Sequence, residues 1–355
     1  MASLTESAYY TRRVLKYSFF VLIGLILLKI VISGVGSLWQ GFYRPEPAKP
    51  DVAFGKLPPF NFPSETAPKE PMTYMQEFVG GVLPESSSSA RVYFVAEPAP
   101  NFLSLERAKE FAKELGFKAE PVALSETLYQ WTDIEYPLRT LQKDIVKGNF
   151  TLAYDFYKDP SVLAEKNLPY GKKASSEALN FLEDNGLSSP DLTGNEAKVS
   201  FWKSTGSELL PAPSVSEAEI TRVDFFRAPI AGLPSVTPSY KEALVYFLFS
   251  GSSGRKRVLT LRYTFRPVEQ GIFATYPLRT IKEAWADLEA GKGYIANWGA
   301  VKGTHVTIRR AFLAYYESES YEPYIQPVFV FEGDEGFVVY VSALSTEWMA
   351  QTTGD

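Results

Sequence analysis

The longest apolar run in the chain is Tyr17–Trp39, YSFFVLIGLILLKIVISGVGSLW, with one charge, Lys29, inside it. Its 23 residues, at about 1.5 Å each, predict a helix of roughly 34 Å, enough to cross a hydrocarbon core of about 30 Å with some tilt. A secretory signal peptide has a shorter apolar centre, about 7–15 residues, before small residues, a pattern that Ser18–Leu28 and Gly34-Val35-Gly36 imitate. The full length of the run favours a retained anchor. Arg12, Arg13 and Lys16 crowd its near end and Trp39, Phe42 and Tyr43 its far end, which predicts a single-pass protein with its N-terminus cytoplasmic and the remainder outside. Arg44 and Lys49 follow the span and temper that bias. An ammonium near a helix centre costs about 2.5–3.5 kcal/mol. Lys29 therefore either snorkels toward the headgroups or meets an acidic or polar group on a partner helix.

Around the anchor the pattern changes. Residues 1–16 form a short polar tail, and residues 40–89 read as a Pro/Ser-rich spacer. Eight prolines between Arg44 and Pro71 predict an extended, semi-rigid segment that lifts the rest off the membrane. From residue 90 onward, period-two and period-3.6 patterns take turns, as expected for an α+β fold. A first unit, 90–170, opens with a strand at Arg91–Ala96 and a helix capped by Ser104. That helix carries Leu105, Ala108, Ala112 and Leu115 on one face and stops at Gly116. Strands follow at Leu128–Thr132, Thr140–Val146 and Phe150–Tyr157, the last two joined at Lys147-Gly148-Asn149.

A second unit, 171–270, has a helix over Ser175–Asn185, then strands at Val199–Lys203, Ile220–Phe226, Glu242–Ser250 and Val258–Phe265. A third, 271–350, begins at Thr280-Ile281-Lys282-Glu283, a capping box before the stripe Ile281, Ala284, Trp285 and Leu288. Its strands are Val306–Glu317, Tyr324–Phe331 and Phe337–Leu344. The whole reads as repeated helix-plus-antiparallel-meander units behind a transmembrane helix. The pentapeptide Tyr-Pro-Leu-Arg-Thr occurs at Tyr136–Thr140 and again at Tyr276–Thr280. Only the second copy opens a capping box, so the repeat is either a trace of internal duplication or a strand-ending sequence used twice in different local structures.

Composition narrows the chemistry. The chain has 355 residues, 45% of them hydrophobic, ample for a large core. A net charge of −5 with interspersed signs, and only Arg255-Lys256-Arg257 as a basic run, argues against nucleic acid as a partner. There is no cysteine and a single histidine, His305, which excludes disulfides, thiol catalysis and multi-histidine metal centres. No cofactor is indicated. Glu332, Asp334 and Glu335 fit no full calcium loop and read as a solvated turn. Ser86–Ser89 lacks the surroundings of a catalytic serine. Arg139 and Arg279 in the twin pentapeptides are candidate contacts for a ligand carboxylate, or else pair with a nearby acid of the chain or pack over Tyr. Tyr315, Tyr316 and Tyr321, with Phe312 and Tyr324, either line a peptide groove or form core.

The helix KEAWADLEAGKG, the strand LAYYE, the strand PVFVF and the last strand VVYVSAL together resemble the C-terminal part of the YycH/YycI family over about residues 272–345. That resemblance implies helix-plus-meander units related to PepSY domains, a single membrane span, and a regulatory association with a sensor histidine kinase. It carries no catalytic residues to transfer. The expected function is a non-enzymatic, membrane-anchored binding or regulatory protein that contacts another membrane or envelope protein. The alternatives are an envelope enzyme acting on polymer through paired carboxylates, and a structural surface component.

Overall fold

Strands dominate this computed structural model, which describes residues 50–63, 71–78, 83 and 87–350. All of these belong to the unit Lys49–Asp355. The expected span Tyr17–Trp39 and Lys29 within it lie outside the described residues. Among the described residues no helix is long and apolar enough to cross a membrane.

In chain order, β1 (Thr73–Gln76) and β2 (Ser89–Phe94) precede α1 (Ser104–Glu114). Then come β3 (Val122–Ala123), β4 (Leu128–Thr132), β5 (Arg139–Asp144) and β6 (Phe150–Tyr154), followed by α2 (Gly171–Asp184) and the one-turn α3 (Pro190–Thr193). Next are β7 (Lys198–Ser204), β8 (Leu209–Pro211), β9 (Ile220–Phe225), β10 (Ser235–Val236), β11 (Val245–Phe249) and β12 (Val258–Tyr263). The last stretch holds β13 (Phe273–Pro277), α4 (Ile281–Glu289), β14 (Tyr294–Asn297), β15 (His305–Tyr316), β16 (Tyr324–Gly333) and β17 (Val338–Ser342).

These strands form two sheets. The first has nine strands in the order β3-β4-β5-β6-β12-β11-β9-β7-β8. It runs straight across the expected boundary at residue 170, because β6 pairs with β12 and sets Leu152 opposite Leu261. The reason is a shared apolar face. Phe150, Leu152, Val223, Phe247 and Leu261 pack in one core with Ala108 and Ala112 of α1 and Ala174, Ala178 and Leu182 of α2.

The second sheet is built on β1-β15-β16-β17-β14, with β10 beside β15 and β2 bridging β13 and β16. It therefore recruits strands from well before residue 271. Its central strands are apolar at both parities. Phe329, Phe331, Val339 and Val341 face α4, whereas Val328, Val330, Val338 and Tyr340 face the other way. Such continuous runs signal a strand covered on both faces.

The cover on that second face corrects the spacer expectation. Residues 50–63 do not hang free but lie as a strap on the sheet. Leu57 is fully buried and exchanges backbone hydrogen bonds with its neighbours, donating to Trp348 at 2.8 Å and accepting from Ala350 at 2.7 Å. Phe62 sits 4.6 Å from the Tyr294 ring and 4.8 Å from the Tyr316 ring. After a turn at 52–55, closed by the Gly55 amide donating to the Val52 carbonyl at 2.9 Å, Pro58, Pro59 and Pro63 favour extended backbone. Phe54, Leu57, Phe60 and Phe62 between them supply the apolar cover. Leu57→Ala is expected to cost about 2–3 kcal/mol, the lower part of the buried leucine range because the strap is peripheral. Urea unfolding measures the loss, and faster amide exchange at Asn61 locates it.

Local signals were followed unevenly. Thr280 caps α4 as read, accepting from the Glu283 amide at 3.2 Å while Glu283 accepts from the Thr280 amide at 2.7 Å. Ser104 does not cap α1. Leu103 stands at the cap without a side-chain bond, because the Ser104 hydroxyl accepts from the Asn101 amide instead.

Candidate functional site

The sequence-derived contacts among the described residues are dispersed. Arg139, Arg279, Tyr315 and Tyr321 have partners within the chain. Tyr316 is buried in the core, although its hydroxyl, like Arg139 Nε, has no hydrogen-bond partner. The Arg139 guanidinium is buried, 3.0 Å from Asp133 Oδ2, donating to the Leu115 carbonyl at 3.1 Å and lying over the Phe117 ring. Arg279 donates to the Ser342 carbonyl and pairs with Asp287. The Tyr315 and Tyr321 hydroxyls donate to the carbonyls of Arg91 at 2.9 Å and Val95 at 3.0 Å. Tyr315 and Tyr316 are core residues. These five residues therefore form no common surface. Two carboxylates of the β16–β17 turn are likewise engaged, Asp334 by Arg309 and Glu332 by Arg310. Among the described residues no cluster of three or more metal-ligating side chains exists. Of the basic run, Lys256 pairs with Asp159 and Arg257 with Glu177.

A groove lies elsewhere, where the two sheets meet. After β9 the chain places Arg227, which is 3% exposed, against the connection between β15 and β16. Its Nε donates to Glu317 Oε1 at 3.1 Å, its Nη1 lies 3.3 Å from Asp191 Oδ2, and its Nη2 donates to the Arg266 carbonyl at 2.7 Å. The guanidinium also lies 4.4 Å from the centre of the Phe265 ring. Arg227 thus ties the end of β12 to the second sheet.

Arg266, positioned by that tie, borders two adjacent hollows. The smaller, of about 300 Å³, is lined by Tyr316, Glu317, Ser318 and Glu322. The larger, of about 670 Å³, is lined by Gln142, Asp144, Asn149, Thr151, Arg262 and Thr264. Arg266 and Ser320 belong to both. The Arg266 guanidinium donates Nη2 to the Glu319 carbonyl at 3.1 Å, with Nη1 3.5 Å from the Ser318 carbonyl. Its Nε is buried without a partner. The Tyr316 hydroxyl is also buried and makes no hydrogen bond of ordinary geometry, with Ser318 beside it. Few signals in the sequence mark these residues. Arg266 reads as the charged end of a strand before Pro267, and Arg227 as a loop residue.

Glu322 faces the smaller hollow and accepts from the strap amide of Asn61 at 3.2 Å. Burial pushes its carboxyl above the ordinary glutamate range, against the lowering effect of the Asn61 and Ser318 bonds and of Arg266. The folded chain thus holds this proton to higher pH than the unfolded chain does. Its stability accordingly falls as pH rises from the unfolded glutamate value through the raised one. Glu322→Gln removes that loss. The variant is expected to gain stability relative to the parent chain at pH 8 and to lose this advantage at pH 4, as read by thermal melts at both values.

No protein-family model matches the chain, and no curated protein matches it. Among solved structures it is similar to an uncharacterized protein from Eubacterium rectale, with 12% identity, a TM-score of 0.37, and coverage of 73% of this chain and 79% of that one. It is also similar to the Bacillus megaterium YpeB C-terminal domain, with 11% identity, a TM-score of 0.32, and coverage of 71% and 96%. Both scores lie below the level at which a shared fold carries functional weight.

Proposed function

We propose that the chain is a membrane-anchored, extracytoplasmic binding and regulatory protein. Its two-sheet domain offers the groove at Arg266 to an envelope partner or ligand. The observation that carries this reading is the groove itself, a polar concavity at the junction of two sheets with unpartnered polar atoms at its border. Buried polar groups are ordinarily paired, so three unpaired ones along a single concavity, Arg266 Nε, Asn149 Oδ1 and the Tyr316 hydroxyl, call for an explanation, and a bound group supplies one. The apolar run Tyr17–Trp39 supports the anchor, and the resemblance of residues 272–345 to the YycH/YycI family supports a regulatory and non-enzymatic role.

The test uses the full chain in its native membrane, with a photo-reactive amino acid at Ser320, an exposed groove residue, and at Glu208, an exposed site near the far edge of the nine-stranded sheet. A discrete adduct is expected from Ser320 and none from Glu208. Equal labelling at both positions, or none at Ser320, would overturn the proposal.

A further inference from the structure

Every other arginine that is buried or half-buried among the described residues holds a carboxylate of this chain, from Arg139 with Asp133 to Arg279 with Asp287. Arg266 does not. Its contacts are two backbone carbonyls, and its Nε–H is buried with nothing to accept it. Withdrawing a guanidinium from water without an acid is costly, and burial duly lowers the affinity of Arg266 for its proton. A second unsatisfied atom borders the same hollow. Asn149 Oδ1 is buried and accepts no hydrogen bond. The groove therefore presents an unused donor on a cation and an unused neutral acceptor.

The charges of the larger hollow fix the sign of what is missing. Lys147, Arg262 and Arg266 stand against Asp144 and Glu319, and Glu319 is paired with Arg262 at 2.8 Å. Asp144 is held by the amides of Val146 at 2.9 Å and Lys147 at 2.7 Å. One positive charge of the larger hollow is left over. The smaller hollow adds Arg227, paired with Glu317, and Glu322, whose carboxyl burial holds protonated to higher pH. The excess therefore suits a singly charged anion better than a dianionic phosphate. A carboxylate matches a guanidinium in planarity and charge.

We infer that the groove binds a carboxylate-bearing peptide group, with Arg266 donating to the carboxylate and Asn149 accepting from a neighbouring amide N–H. This rests on the reading of the groove as the binding site. The side chains along the hollow agree with a peptide. Gln142, Thr151 and Thr264 offer amide and hydroxyl partners, whereas the aromatic ring there, Phe150, is buried against Tyr263 and Phe111 and offers no open face for stacking a sugar.

The test is ligand-observed saturation-transfer NMR on the full chain in nanodiscs at constant ionic strength. The probes are N-acetyl-alanyl-alanine with a free carboxylate, its C-terminal amide, and glucuronate. Saturable binding of the acid in the millimolar range is expected, because so small a probe makes few contacts. Binding should weaken at least tenfold for the amide and for Arg266→Gln. Asn149→Leu should weaken the acid by several-fold, and this variant leaves the cation in place should Arg266→Gln unfold the chain. Failure of the acid to saturate, or equal binding of acid and amide, would overturn the inference. Tighter binding of glucuronate than of the peptide would overturn the peptide assignment. A Ser320 adduct in native membranes without binding of the acid would sink the carboxylate inference and leave the binding reading standing.

Discussion

Arg227→Leu is expected to lower the stability of the two-sheet domain by about 3–5 kcal/mol, the range for removing one partner of a buried ion pair. The physical cause is the charge left behind. Glu317 is 9% exposed and takes hydrogen bonds from two nitrogens of Arg227, so without the guanidinium its carboxylate is stranded in a poorly solvated place. Asp191 is more open and can return to water. The Arg266 carbonyl would also lose its donor, loosening the border of the groove. Urea unfolding at pH 7 measures the loss. The double variant Arg227→Leu, Glu317→Leu is expected to recover at least half of it, since an apolar pair of similar volume needs no compensation. A double variant as unstable as the single one would show that the contact with Phe265, not the stranded charge, is what Arg227 contributes.

Gly251→Ala is expected to cost about 3 kcal/mol or more, at the upper end of the range for an overpacked core. A methyl group there would sit 1.8 Å from the Glu165 carbonyl oxygen and 2.9 Å from the Asn167 nitrogen. Both are backbone atoms in the segment leading to α2, so no side-chain rotation relieves the clash. That segment is pinned to the same connection by Ser252, whose hydroxyl donates to the Val162 carbonyl at 3.1 Å, and by Arg257, which donates to the Asn167 carbonyl at 2.8 Å. Gly254, three residues on, is the control. Its φ of +61° is strained for alanine, but nothing lies within 4 Å of an added methyl. Gly254→Ala should therefore cost only about 1–2 kcal/mol, the penalty of a left-handed conformation. Equal melting shifts for the two variants would refute the close-approach argument.

These two glycines show how legibility divides in this chain. In the sequence, Gly251-Ser252-Ser253-Gly254 reads as a loop between strands, and that much is observed. That one glycine serves a dihedral angle and the other an absent Cβ is invisible locally, because the atoms that exclude a methyl group belong to residue 165. The helices follow the same division. The stripe of α4 and its capping box lie within a few residues and are readable, whereas the Ser104 hydroxyl accepts from the Asn101 amide of the preceding loop and Leu103 stands at the cap. Short strands such as β1, β10 and β13 carry too little pattern to be seen alone. They become strands because β2, β15 and their neighbours offer edges.

The site divides likewise. Arg139 and Arg279 drew notice through their repeated pentapeptide, but one opens β5 and the other lies between β13 and α4, and each has an acid of its own. Tyr315 and Tyr316 read as either groove lining or core, and the structure places both in the core, Tyr316 beneath Phe60 and Phe62 of the strap and Tyr315 against Tyr93. Arg266 drew no notice, since the absence of a partner is a statement about every other residue in space.

The sequence by itself determined the α+β character and most helix and strand positions. It did so because periodicity and turn chemistry act over a few residues. Only the tertiary structure decided that residues 50–63 form a strap, that nine strands share one sheet across the expected boundary, and that Arg266, alone among the buried and half-buried arginines of the described residues, is left without an acid. Those outcomes depend on which distant surfaces complete one another's apolar faces and charges, and no local pattern encodes that choice.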